Sequence, residues 1–161
     1  LYKKIYEIIK RLNNIILKID GITGEIIKKI QLVEYPYSIS ISADGNFLAC
    51  ANGGVSTILD VQNWKIVDKI SDKSSVHNVR FKFIPGSSNL LILSDDEIVN
   101  WDYRNHLKVM SYPVQSGFFR NFDLIPGTKQ FVTASTDSLL LFWDISKNKP
   151  ISKPLILILF N

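Results

Sequence analysis

A chain of 161 residues, 46% apolar and 21% charged, can bury one core and is too apolar to remain disordered. Its formal charge of +4 is local. Residues 1–30 hold seven Lys or Arg against Glu7, Asp20 and Glu25, whereas residues 31–161 hold twelve of each sign, so a uniformly basic nucleic-acid-binding surface is excluded. The single cysteine, Cys50, excludes an internal disulfide; no Asn-x-Ser/Thr sequon and no signal-peptide pattern is present, which together fit a reducing, cytoplasmic compartment.

In chain order, Tyr6–Asp20 reads as a strand, a polar turn and a second strand ending on Asp20. Residues 3–12 also permit an amphipathic helix with Ile5, Ile8, Ile9 and Leu12 on one face, but their gap-free alignment with later segments favours a strand. Gly21–Gly24 is a turn into a further strand, Glu25–Ile30. Ser38–Ser42 alternates apolar and polar residues and closes on Asp44-Gly45. Asn46–Asp60 repeats the strand–turn–strand pattern, and Lys65–Ile70 follows it. Val79–Phe83 ends on Pro85-Gly86, then Ser88–Asp102 and Leu107–Tyr112. Asn121–Leu124 ends on Pro126-Gly127, then Gln130–Asp144 and the apolar run Leu155–Phe160. Ile39, Ile41, Phe81, Phe83, Phe122 and Leu124 occupy the alternating positions expected to face a core. The run at 155–160 is far shorter than the ~20 residues of a membrane helix and reads as a final buried strand.

The closing acids Asp20, Asp60, Asp102 and Asp144 are spaced by 40, 42 and 42 residues, and the last two follow Trp101 and Trp143. Seven residues before each lies a turn residue: Asn13, Gly53, Asp95 and Asp137. A period of about 40–45 residues with a Trp-Asp pair is the pattern of a four-stranded propeller blade. With the Phe-x-Phe-x-Pro-Gly and Phe-x-Leu-x-Pro-Gly segments, the chain resembles the WD40-repeat family over roughly residues 4–161. It departs from the family where a Gly-His pair is expected: Lys73-Ser74 and Val114-Gln115 lack His, and His77 comes about three residues too late. Ile19 and Leu59 stand where the first two units would carry Trp, so the family's His-Ser-Asp-Trp network is incomplete. Degenerate WD40-like repeats are the reading.

The fold class expected is therefore all-β, a propeller of four-stranded antiparallel blades. The whole chain, 1–161, forms one propeller segment: a partial blade at 1–32 and three blades at about 35–70, 74–112 and 115–160. Beginning mid-blade at Leu1 without Met, it reads as part of a longer propeller rather than four blades that close by borrowing a strand.

No motif for catalysis emerges. Gly21–Gly24 and Gly53-Gly54 are turn glycines, and no Gly-x-Ser-x-Gly elbow occurs. His77, His106 and Cys50 fall at unrelated blade positions, so neither a nucleophile–base pair nor a metal site is expected; Asp95-Asp96-Glu97 reads as turn and solvated acids. Asp60, Asp95, Asp102, Asp137 and Asp144 are expected to fix turns, and Trp101 and Trp143 to pack between blades. The expectation is a non-enzyme without cofactors, a scaffold for proteins or peptides. The sequence argues against nucleic acid, membrane or a small-molecule substrate as partner. The resemblance implies binding on the loop face, where Tyr35, Tyr37, Asn52, His77, Ser94, Phe118, Phe119, Arg120 and Thr136 gather; Tyr35, His77, Phe118 and Arg120 are the partner-binding candidates. Two alternatives stay open: a propeller enzyme or ligand sensor whose site lies in blades outside this chain, and a membrane-tethered regulatory propeller.

Overall fold

The computed structural model describes residues 7–12, 14–32, 36–52, 55–71, 79–94, 97–114, 117–152 and 155–156. These form only strands and turns. The first sheet has three strands, β1 (Glu7–Leu12), β2 (Ile15–Asp20) and β3 (Ile26–Gln31). The second is β4 (Pro36–Ile41), β5 (Phe47–Asn52), β6 (Val55–Asp60) and β7 (Lys65–Ser71). The third is β8 (Arg80–Phe83), β9 (Asn89–Leu93), β10 (Glu97–Asp102) and β11 (Leu107–Pro113). The fourth is β12 (Phe119–Leu124), β13 (Gln130–Ser135), β14 (Leu139–Asp144) and β15 (Leu155–Ile156). Every pairing is antiparallel and joins neighbours in sequence, so each sheet is a meander. Residues 7–12 are strand, which settles the choice between helix and strand there.

Local chemistry explains the two kinds of turn at one end of the sheets. After each of the four closing acids the chain reverses, and the carboxylate accepts the backbone N–H two residues on and, in all but Asp144, the one three residues on. Asp60 Oδ1 takes Gln62 N (2.8 Å) and Asn63 N (2.9 Å); Asp102 Oδ1 takes Arg104 N (3.0 Å) and Asn105 N (3.1 Å). Asp20 holds Ile22 N and Thr23 N likewise, and Asp144 holds Ser146 N. Short acids suit this because their oxygens reach only those nearby amides. The other turns, Asp44-Gly45, Pro85-Gly86 and Pro126-Gly127, place Gly at φ 74°, 71° and 74°, a left-handed conformation that a Cβ disfavours.

The sheets stack face to face, and three clusters fill the gaps. Aliphatic residues fill the first: Ile16 and Leu32 against Leu48, Cys50, Leu59 and Val61, with Ile39 alongside. Phe81, Phe83, Leu90, Ile92 and Tyr103 of the third sheet pack on Ala49, Ala51 and Ile58 of the second. The last gap is aromatic: Trp143 and Phe131 lie parallel at 5.8 Å, and Tyr112 of the third sheet meets both edge-on at 5.9 and 4.9 Å. Trp143, Tyr112, Phe119 and Phe131 are fully buried, and each such side chain contributes roughly 1.5–3 kcal/mol relative to exposure. The Tyr112 hydroxyl donates to the Ile145 carbonyl at 2.5 Å, tying the sheets through a polar contact as well.

One alternating position departs from the sequence expectation. Ile41 is 51% exposed, whereas Phe81, Phe83 and Phe122 are buried. The face of β4 that carries Ile39 turns toward the first sheet, which contributes three strands among the described residues where the other sheets have four.

Candidate functional site

β4, β8 and β12 each form the inner edge of their sheet, and β8 lies against both of the others. Where they converge is a cleft of about 300 Å³ lined by Ser38, Ser40, Arg80, Lys82, Asn121 and Asp123. These are the polar alternates of the period-two strands: the apolar residues face the inter-sheet clusters, so the intervening ones face the axis. Lys82 Nζ pairs with Asp123 Oδ1 at 2.9 Å across it, both partly exposed, an ion pair that contributes little to stability. Arg80 carries a second positive charge into the same cleft. Arg80, Lys82 and Asp123 are not among the residues that the repeat pattern singles out. Their signal was present in Val79-Arg-Phe-Lys-Phe83, whose polar positions face an axis only because three such strands meet.

The loop end of the fourth sheet is closely built. Gly117 has φ 67°, and a Cβ there would collide with Thr136 Oγ1. That close approach lets Phe118 N donate to Thr136 Oγ1 (3.0 Å) while Thr136 N donates to the Phe118 carbonyl (2.9 Å). The backbone of Phe118 is thereby fixed, and its side chain stands 57% exposed. Phe119 is fully buried against Trp143 at 6.3 Å, so the two adjacent rings have separate roles. Arg120 is exposed and occupies a β-bulge: Phe119 pairs with Ser135 and Asn121 with Ala134, leaving Arg120 as the extra residue. Tyr37 is the extra residue at the matching place in β4, between Pro36↔Asn52 and Ser38↔Ala51. Bulges of this kind re-aim a side chain at the end of a strand.

Among the other loop-face candidates, Ser94 is buried and its hydroxyl donates to the Glu97 carbonyl at 3.0 Å. Tyr35, His77, Asp95, Asn13 and Gly53 lie outside the described residues. Asp137 sits in the turn between β13 and β14, where it accepts the Ser135 hydroxyl and Leu139 N (3.3 Å). Trp143 Nε1 donates to Thr133 Oγ1 at 3.0 Å within its own sheet. Trp101 Nε1 instead crosses to Asp68 Oδ2 on β7 of the preceding sheet, at 2.7 Å. His106, at φ 57° in the turn after Asp102, places Nδ1 2.9 Å from Asp68 Oδ1. Asp68 thus ties two sheets together, a role that no local pattern in the sequence signals.

The titration shifts follow from turn bonding and burial. Backbone amides hold the Asp20 and Asp60 carboxyls below the usual carboxylate range, and Ser146 does so for Asp144. Asp102 is lowered as well: slight burial opposes the shift and is outweighed by the bonds from Asn105 and Arg104. Burial pushes the Cys50 thiol up to about 12, so at neutral pH it is a protonated core residue rather than a nucleophile. Among the described residues no three His, Cys, Asp or Glu side chains cluster as metal ligands. No described helix is long and apolar enough to cross a membrane.

No protein-family model matches the chain, and no curated protein does. Many solved structures do. The RRP9 WD40 repeats superpose with a TM-score of 0.77 at 17% identity, covering 94% of this chain and 48% of that one. A chain of the mitotic checkpoint complex gives 0.75 at 18% identity, covering 91% and 45%. Hydrazine synthase from Kuenenia stuttgartiensis gives 0.72 at 17% identity, covering 89% and 44%. The chain therefore spans slightly under half the length of each. At these identities the likeness shows the fold: four stacked antiparallel sheets of a WD40-like β-propeller.

Proposed function

We propose that this propeller segment is a non-catalytic platform that binds a protein or an extended peptide on its loop end, with Phe118 and Arg120 as anchors. One observation carries the reading. A large aromatic side chain is held 57% exposed on a backbone fixed by the Gly117–Thr136 approach, two residues from an exposed Arg on a bulge. Aromatic and Arg side chains dominate interface energies, and a pre-fixed backbone lowers the entropy cost of binding. The proposal extends to Tyr35 and His77 on their spacing in the sequence repeat alone. A solved neighbour that is part of a multi-protein complex and another built of WD40 repeats support protein partners. The single, buried Cys50 supports action in a reducing, cytoplasmic setting.

The test is site-specific crosslinking. A photo-crosslinking residue replaces Phe118 in the full-length protein in cells, with a control at Ile151, which is 41% exposed in the turn region after β14. The reading expects a discrete adduct at 118 that is absent at 151, and loss of the untagged partner on Arg120→Glu. Adducts equal at both positions, or unaffected by Arg120→Glu, contradict it.

A further inference from the structure

The opposite end of the arc carries a second site, independent of the loop-end reading. There the turn 42–46 of the second sheet faces the turn 84–88 of the third, and between them is a cleft of about 390 Å³, within the range of ligand sites. Its floor is aromatic. Tyr103, 4% exposed, wedges between Phe47 of the preceding sheet at 4.9 Å and Phe83 of its own at 5.7 Å. At the rim Arg104 is exposed, and its guanidinium lies over the Phe47 ring at 5.9 Å.

The repeats serve as an internal control. The two residues after the closing acid are Gly21-Ile22, Val61-Gln62, Tyr103-Arg104 and Ile145-Ser146. The turn itself needs only backbone amides at these positions, so the fold does not require an aromatic–Arg pair. Only the third unit has one, and it sits where two sheets open a cleft. Nor is Arg104 engaged by acids. Asp44, the other charged group in the cleft, accepts Ser42 Oγ (2.6 Å), Asn46 N (3.0 Å) and Asn46 Nδ2 (2.9 Å). Asp102 accepts the Arg104 backbone N–H and the Asn105 amide groups. Arg104 makes no ion pair among the described residues. Arg104 does hydrogen-bond the Tyr103 side chain, and the remaining N–H groups of its guanidinium are left for a planar, two-oxygen acceptor.

We infer that this turn-end cleft docks an extended peptide segment of a partner protein, one that places an Asp or Glu carboxylate on Arg104 and an adjacent apolar side chain on the Phe47–Phe83 floor. Arg104 stands at the rim over the Phe47 ring, while the Asp44 oxygens on the other side are taken up by Ser42 and Asn46, so a carboxylate placed on Arg104 brings its neighbouring side chain to the aromatic floor.

The experiment measures binding of fluorescein-labelled, Gly/Ser-flanked peptides that pair Asp or Glu with Leu, Phe or Trp to the full-length protein by anisotropy. The same peptides with Asn or Gln, or with Ser for the apolar residue, are the controls. Binding of acidic–apolar peptides is expected, weakened about tenfold or more by Arg104→Gln or by the amide peptides. The two changes together should cost no more than either alone. Arg120→Gln, at the loop end, should leave this binding unchanged, which separates the fate of the two sites. Arg104 is exposed and outside the cores, so its variant keeps the fold, as a matched thermal melt verifies. No binding by any peptide, or equal binding by wild type and Arg104→Gln, overturns the inference. So does self-association of the chain through this cleft that Arg104→Gln abolishes, because the occupant is then a second copy.

Discussion

Replacing Asp68 with Ala should loosen the second sheet from the third. Asp68 is 8% exposed on β7, accepts Trp101 Nε1 at 2.7 Å and its neighbour's Lys69 N at 2.8 Å, and lies 2.9 Å from His106 Nδ1. Two of these come from the next sheet. Removing the carboxylate strands the half-buried indole N–H, which costs about 1–3 kcal/mol. The His106 contact adds little, since that ring is 58% exposed and solvent screens it. Relief of carboxylate burial offsets part of the loss, leaving about 2 kcal/mol. With a urea slope of about 1–3 kcal/mol/M, the midpoint should fall by roughly 1 M. Asp68→Asn, whose amide oxygen can still accept from the indole, should lose about half as much. The decisive assay is a double-mutant cycle with Trp101→Phe, read by urea unfolding and far-ultraviolet dichroism. A coupling of about 1–2 kcal/mol is expected for a shared contact. Additive effects, or an Asp68→Ala midpoint unchanged within error, would refute the idea that this carboxylate joins the sheets.

Three further outcomes follow from named groups. Gly117→Ala should destabilise by about 1–3 kcal/mol, because the new Cβ meets Thr136 Oγ1 at φ 67°; a melt equal to wild type would show that the loop end relaxes freely. Cys50, pushed up to about 12 by burial, should resist a thiol reagent in the native protein and react once the chain is unfolded in denaturant. Rapid native labelling would place it at the surface. The closing acids have folded-state pKa values below 3.8, so the stability that they contribute is present above about pH 4 and is lost as pH falls through their folded values. Asp60→Asn, neutral at every pH, should flatten that acid limb and lower stability at pH 7 by the part of the contribution that needs the charge; an acid limb identical to wild type would assign it to other groups.

The sequence made the repeat legible because its punctuation is local. The closing acids bond amides two and three residues away, and the Gly residues of the Asp-Gly and Pro-Gly turns adopt their conformation whatever surrounds them. Period-two alternation likewise marked Phe81, Phe83 and Phe122 as core. What stayed hidden depends on partners distant in the chain. Asp68 and Trp101 are 33 residues apart, as are Tyr112 and Ile145, and neither pair shows in any window of the sequence. The cleft needs β4, β8 and β12 together, so no local pattern singles out Arg80 and Lys82. Ile41 alternates as a core residue would but stands exposed, because among the described residues the first sheet offers three strands where the others offer four. At the loop end, the pairing of an exposed Phe118 with a buried Phe119 was legible as a choice between two rings; the bulge at Arg120 was not.

The central claim, a binding platform at the loop end, is tested most directly by hydrogen exchange. Amide exchange of the full-length protein would be compared with and without the partner captured through position 118. Slowed exchange across 117–121 and 134–138, with 20–24 and 144–148 at the opposite end unchanged, is the expected footprint. Unchanged exchange at 117–121 with protection confined to the opposite end would contradict the account.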